Sequence, residues 1–124
     1  MILVVDTHSG IPVYRQIVEQ LRFQVSSGVL QAGDEIPSTR SLSAELGVNP
    51  MTISKAYAQL EGEGLLERRP GLPSVVRKQN KASEQALKVE QLEQTLRPAA
   101  LKARQMNVES GEALKIFRRL LEEK

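Results

Sequence analysis

Cysteine is absent from the 124 residues, which removes disulfides, thiolate metal sites and cysteine nucleophiles together. That composition is expected of a protein kept in the reducing cytoplasm. Histidine occurs once, as His8 near the N-terminus, with no cysteine or second histidine to share a metal or a proton. Aromatics are limited to Tyr14, Phe23, Tyr57 and Phe117, with no tryptophan, so the stacking platforms that hold single-stranded nucleic acid are poorly supplied. No run of about 18 apolar residues occurs, and no membrane-spanning helix is expected. The opening Met1-Ile2-Leu3-Val4-Val5 meets Asp6 too soon for the core of a secretion signal. Neither a Gly-rich phosphate loop nor a Gly-x-Ser-x-Gly elbow is present, and the acidic residues are scattered at solvent-facing helical spacing. Catalysis, a metal and a cofactor are therefore not expected. Charge also lacks a dominant sign, with 17 Lys+Arg against 15 Asp+Glu. Eight basic and eight acidic residues precede Asn80, and nine and seven follow from there. Nucleic-acid binding has to rest on where the charges sit.

Amphipathic helices make up most of what is there. Tyr14, Ile17, Val18, Leu21 and Val25 recur at spacings of three and four, predicting a helix over 12–25. Pro12 suits its first turn, and Gly28 is placed to turn the chain left-handed after it. Ala32-Gly33-Asp34 reads as a turn before Ile36-Pro37. Ser38 is a good N-cap for a short helix over 39–46, which Gly47 stops. Asn49 caps the next helix and Pro50 takes its first position. Ile53, Ala56, Tyr57 and Leu60 form its inward stripe. Met51, Thr52, Lys55 and Gln59 consequently point outward, with Ser54 at the margin.

The runs 65–69 and 74–78 flank Pro70-Gly71-Leu72-Pro73 and read as a β-hairpin whose tip the prolines make irregular. Gln79 to Ser83 is small and polar, as expected of a linker. Beyond it Val89, Leu92, Leu96, Ala99, Ala103 and Met106 form a heptad-like seam. Pro98 lies inside this seam and predicts a kink or a break. Asn107 is suited to a left-handed cap. A last helix over 110–123 presents Ala113, Leu114, Phe117, Leu120 and Leu121 on one face.

A helix, a short helix, a tight turn, a capped helix and a hairpin together fit a winged helix-turn-helix. In that architecture the second helix of the pair enters the major groove and the hairpin touches the flanking DNA. The expected fold is mainly α with a small β-hairpin: residues 1–79 form the DNA-binding domain and 80–124 a short two-helix dimerisation tail. The N-terminus of the Asn49-capped helix offers N–H groups and a positive dipole end to phosphate. Thr52 and Lys55 reach toward base edges or phosphates, and Met51 toward a thymine methyl. Around the hairpin Arg68, Arg69, Arg77 and Lys78 stand against Glu67 alone, so basic charge is concentrated there.

Residues 11–76 resemble the DNA-binding domain of the GntR family of bacterial transcriptional regulators. The matching strings are Pro12 to Ile17, Gly28 to Arg40, Leu46 to Ile53 and Glu63 to Leu66. The Val48-Asn49-Pro50 start of the third helix, the Ala56-Tyr57 pair and the short two-helix tail are similar to the YtrA subfamily. The resemblance implies DNA contacts for Ser38 and Arg40 in the Pro-Ser-x-Arg motif. It implies them also for Asn49, Met51, Thr52, Ser54 and Lys55 on the reading helix, and for Arg69 and Gly71 in the wing. Pro50 replaces an arginine common in other branches, and Gly71-Leu72-Pro73-Ser74-Val75-Val76 replaces the usual Gly-x-Gly-Thr-Phe-Val of the wing.

The implied function is a repressor. The resemblance implies a cytoplasmic homodimer on an inverted-repeat double-stranded operator, that of an operon for an ABC-type transporter or other membrane proteins with its own gene among the candidates, with room for an unknown small-molecule effector and no membrane partner. Blander readings stand beside it. Arg40 and Lys55 also read as solvated surface, and Tyr57 as core. The tail also reads as folding back on its own domain, though about 45 residues in two helices make no stable core alone. One rival function is a protein-interaction adaptor whose DNA contacts are lost. The other is a fragment of a pyridoxal-phosphate regulator, for which the chain contains no cofactor-binding lysine context.

Overall fold

The computed structural model describes residues 1–123, and its elements follow the amphipathic pattern. Helix α1 spans Val13–Ser26, α2 Thr39–Leu46 and α3 Pro50–Gly62. Strands β1 (Leu66–Arg69) and β2 (Leu72–Val76) follow, then helices α4 (Lys81–Gln105) and α5 (Ser110–Glu122). It is a mainly helical winged helix-turn-helix. Two compact units are formed by Met1–Lys88 and Val89–Lys124.

The first unit closes on a core of Ile17, Val18, Leu21, Leu42, Ile53, Ala56, Tyr57 and Leu60 from the helices, with Leu30, Ile36, Leu65, Leu66 and Val76 buried among them. Each fully buried aliphatic side chain contributes about 1.5–3 kcal/mol. Helix boundaries sit where the caps were expected. Ser38 Oγ accepts from Ser41 N–H at 3.0 Å, and Asn49 Oδ1 accepts from Met51 N–H at 2.8 Å. Gly47 ends α2 with φ +68°, and Asn107 after α4 has φ +58°.

Three features depart from the sequence reading, and a fourth narrows it. The hairpin turn is tighter than expected and the second strand comes two residues earlier: Arg69 pairs with Leu72 across Pro70-Gly71, Pro73 lies inside β2, and β2 ends at Val76. A register shift between Glu67 and Arg69 marks the bulge that accommodates the extra residue. Residues 33–36 are more than a turn, because Gly33 N–H, Ile36 N–H and Asp34 C=O all bond to β2 backbone at 2.8–3.0 Å. They act as a short third strand on the outer edge of the wing, bridged at Glu35 and Val75. Lys81 to Ser83 belong to α4 and not to a linker, because Asn80 Oδ1 accepts from Ser83 N–H at 2.8 Å and starts the helix there. Of the two outcomes expected at Pro98, a kink or a break, the break does not occur: α4 continues through it, since the loss of one N–H donor leaves the bonds of the adjacent turns intact.

The N-terminal segment is held by a ladder of glutamines. Gln20 accepts from Val4 N–H at 2.9 Å and donates to Val4 C=O at 2.6 Å. Gln16 makes the same paired contact with Asp6, 2.8 Å in each direction. Gln24 donates to Ile2 C=O at 2.7 Å. Four residues of helix rise about 6.0 Å and two residues of strand about 6.6 Å, so amides at this spacing match an extended chain rung for rung. Leu3 and Val5 thereby pack inward on the core.

In the second unit no described residue of α5 is buried. Leu114 and Leu121 are each 68% exposed. Leu92, Leu101, Met106 and Leu120 are exposed as well.

Candidate nucleic-acid interface

The turn between α2 and α3 is fixed from inside. Ser43, the buried polar residue of α2, donates from its hydroxyl to Val48 C=O, while Gly47 N–H and Val48 N–H return to Ser43 C=O at 2.9 and 3.2 Å. The axis of α3 is held at two further points. Tyr57 is buried, and its hydroxyl donates to Pro37 C=O at 2.8 Å, tying α3 to the loop ahead of α2. Burial, with the charge of Glu45 added, raises the Tyr57 hydroxyl well above its ordinary pKa, so it stays a donor. At the far end Arg22 of α1 makes a two-pronged pair with Glu63, with Nε donating at 2.7 Å. Burial alone pushes the Glu63 carboxyl up, but hydrogen bonds from Arg22 and Gln59 and the arginine charge outweigh it and hold it low.

So fixed, α3 turns Ile53, Ala56, Tyr57 and Leu60 inward and leaves its other face to solvent. Met51 is 77% exposed. Ser54 and Lys55 are exposed, and Thr52 is half-buried beside them. Asn49 spends its amide oxygen on the cap. Ser38 likewise accepts as a cap, and Arg40 lies in the first turn of α2, exposed and without an ion pair among the described residues. Met51 and Lys55 thus lie on the solvent side of α3, as the spacing of the inward stripe predicts.

The wing is arranged differently. Arg69 does not extend outward: its guanidinium donates twice to Pro73 C=O, at 2.9 and 2.7 Å, and pairs with Glu35 at 3.0 Å. Gly71 takes φ +73° at the turn, and Leu72 beside it is 61% exposed. The wing tip is therefore apolar, and its arginine braces strand against strand. Lys55 is likewise engaged, its ammonium lying 3.9 Å from the centroid of the Tyr14 ring. Neither Tyr14, Ser43 nor Glu35 is singled out by the sequence. Only the Gln16, Gln20, Gln24 spacing was there to be read.

The model for bacterial regulatory proteins of the gntR family matches residues 13–76, the segment containing the helix-turn-helix and the wing. This chain belongs to that family. It is 31% identical over 105 residues to the HTH-type transcriptional repressor YtrA of Bacillus subtilis, a match covering 85% of this chain and 81% of that protein. The solved structure of YtrA from Sulfolobus acidocaldarius, a GntR-family transcription factor, is similar with TM-score 0.60 and 29% identity, covering 96% of both chains. The DNA-binding domain of AraR in complex with operator ORX1 is similar with TM-score 0.51 and 26% identity, over 61% of this chain and 92% of that one. Several longer relatives are matched over only 12% to 30% of their length. The chain is a DNA-binding transcription regulator of the gntR family, YtrA-like in kind.

Proposed function

We propose that the chain is a repressor that binds double-stranded DNA sequence-specifically as a homodimer on an inverted repeat. The observation that carries this reading is the exposed face of α3, capped by Asn49 and presenting Met51, Thr52, Ser54 and Lys55. Arg40 and the α2 cap at Ser38 lie beside it, and the family match and the likeness to an operator-bound domain support it. In this reading residues 1–79 contact the operator and 80–124 pair two copies. The exposed leucines of α5 and the apolar seam of α4 supply the contact. Two reader helices about 34 Å apart then meet successive major grooves. The subfamily resemblance implies an operon for an ABC-type transporter or other membrane proteins as target, the absence of cysteine favours the cytoplasm as location, and a small-molecule effector is an optional input.

Selection from a random duplex library tests the reading. An enriched inverted repeat with half-sites about one helical turn apart is expected. A single enriched half-site removes the homodimer, and no enrichment at any salt concentration removes sequence-specific binding. An adaptor that binds protein instead is favoured by one observation, the apolar wing tip around Leu72 with Arg69 turned inward. It is the reading that survives the last outcome.

A further inference from the structure

A lysine on a reading helix has two possible targets, a base edge or a phosphate, and the position of its ammonium decides between them. Base-reading side chains project from the N-terminal part of the helix into the groove. Lys55 is the sixth residue of α3, and its Nζ is drawn sideways over Tyr14, at the start of α1, 3.9 Å from the ring centroid. The ring face attracts the cation and occupies only one side of it, so the remaining N–H donors stay available. Among the described residues Lys55 has no carboxylate partner, and the Tyr14 hydroxyl has no hydrogen bond, so the ring itself makes the contact. A lysine loses considerable rotamer freedom when it binds, and the ring removes part of that freedom beforehand.

We propose that Tyr14 is a positioning residue for DNA binding: its ring holds the Lys55 ammonium on the α1 flank of the reading helix, where it takes a backbone phosphate and not a base. The inference rests on the DNA-binding reading above and adds to it a residue outside the helix-turn-helix.

The test measures affinity for a duplex enriched in the selection, across a salt series. Tyr14→Leu is expected to weaken binding about two- to fivefold, with the salt slope unchanged because the ammonium is still there. Tyr14→Phe keeps the ring and is expected to bind like the parent. Lys55→Met is expected to lower the slope by about one and to weaken all base variants of the site equally. In the Lys55→Met background Tyr14→Leu should have no further effect, whereas a role in packing alone would weaken both backgrounds alike.

Equal losses in both backgrounds, a Tyr14→Phe as weak as Tyr14→Leu, or unchanged or tighter binding by Tyr14→Leu overturns the proposal. So does relaxed selectivity at one base position in Lys55→Met. If the parent chain binds no duplex, the DNA-binding reading fails and takes this one with it. If the parent binds and the variants match it, only this one fails. Independently of any variant, the side-chain protons next to the Lys55 ammonium should be shifted upfield by the Tyr14 ring in the NMR spectrum of the free protein. Unshifted protons there overturn the pairing itself.

Discussion

At the scale of single residues, a few polar side chains set the direction of α3, and their effects are separable. Tyr57→Phe removes the bond to Pro37 C=O and is expected to lower the free energy of unfolding by about 1 kcal/mol, read by a denaturant titration. Ser43→Ala leaves Val48 C=O without its hydroxyl partner, with an expected cost of about 1–3 kcal/mol in the same measurement. Glu63 gives a pH signature. Its carboxyl is held below the ordinary value in the fold, so its contribution is complete above that value, about 4.3 in an unfolded chain. It is lost as pH falls through that point toward the folded value. Glu63→Gln should flatten this part of the acid-unfolding curve, and an unchanged curve would show that the Arg22 pair contributes nothing to the linkage.

At the scale of elements, the helices were legible because their signals are local: apolar residues at helical spacing and caps at Ser38, Gly47, Asn49 and Asn107 lie within a few residues of what they control. The exposed face of α3 was legible for the same reason, since outward positions follow from the inward stripe of Ile53, Ala56, Tyr57 and Leu60. The wing was not. Its edge segment at 33–36 bonds to β2 across about forty residues of sequence, and no periodicity in the segment itself announces a partner so distant. Pro73 argued for an irregular tip, yet it falls where the bulge relaxes the register, and its carbonyl is claimed by Arg69. The direction of Arg69 depends on Glu35, which is again far away in sequence. This bracing predicts that Arg69→Ala speeds amide exchange of the hairpin between Leu72 and Val76 while leaving α3 protected. Gly71→Ala, forced to a positive φ, should destabilise by about 1–2 kcal/mol.

At the scale of the whole molecule, the second unit buries none of its α5 side chains, while the first has a closed core. Leucines left at 68% exposure on a charged helix are the kind of surface that association covers. The expected solution mass is therefore twice 13.8 kDa, measurable by light scattering. The paired substitution Leu114→Ser and Leu121→Ser should return a single-chain mass with the first unit still folded. A parent that is already single at working concentration would end the dimer reading without touching the winged fold.

The glutamine ladder gives the N-terminal segment an unusual chemical vulnerability. Gln16 and Gln20 hold Asp6 and Val4 because one amide presents a donor and an acceptor together. Deamidation keeps the shape and changes one group, setting a carboxylate oxygen against a backbone carbonyl. What bound the strand then repels it, so in an ageing sample a mass increase of about one dalton at either glutamine should coincide with release of residues 1–6 to proteases.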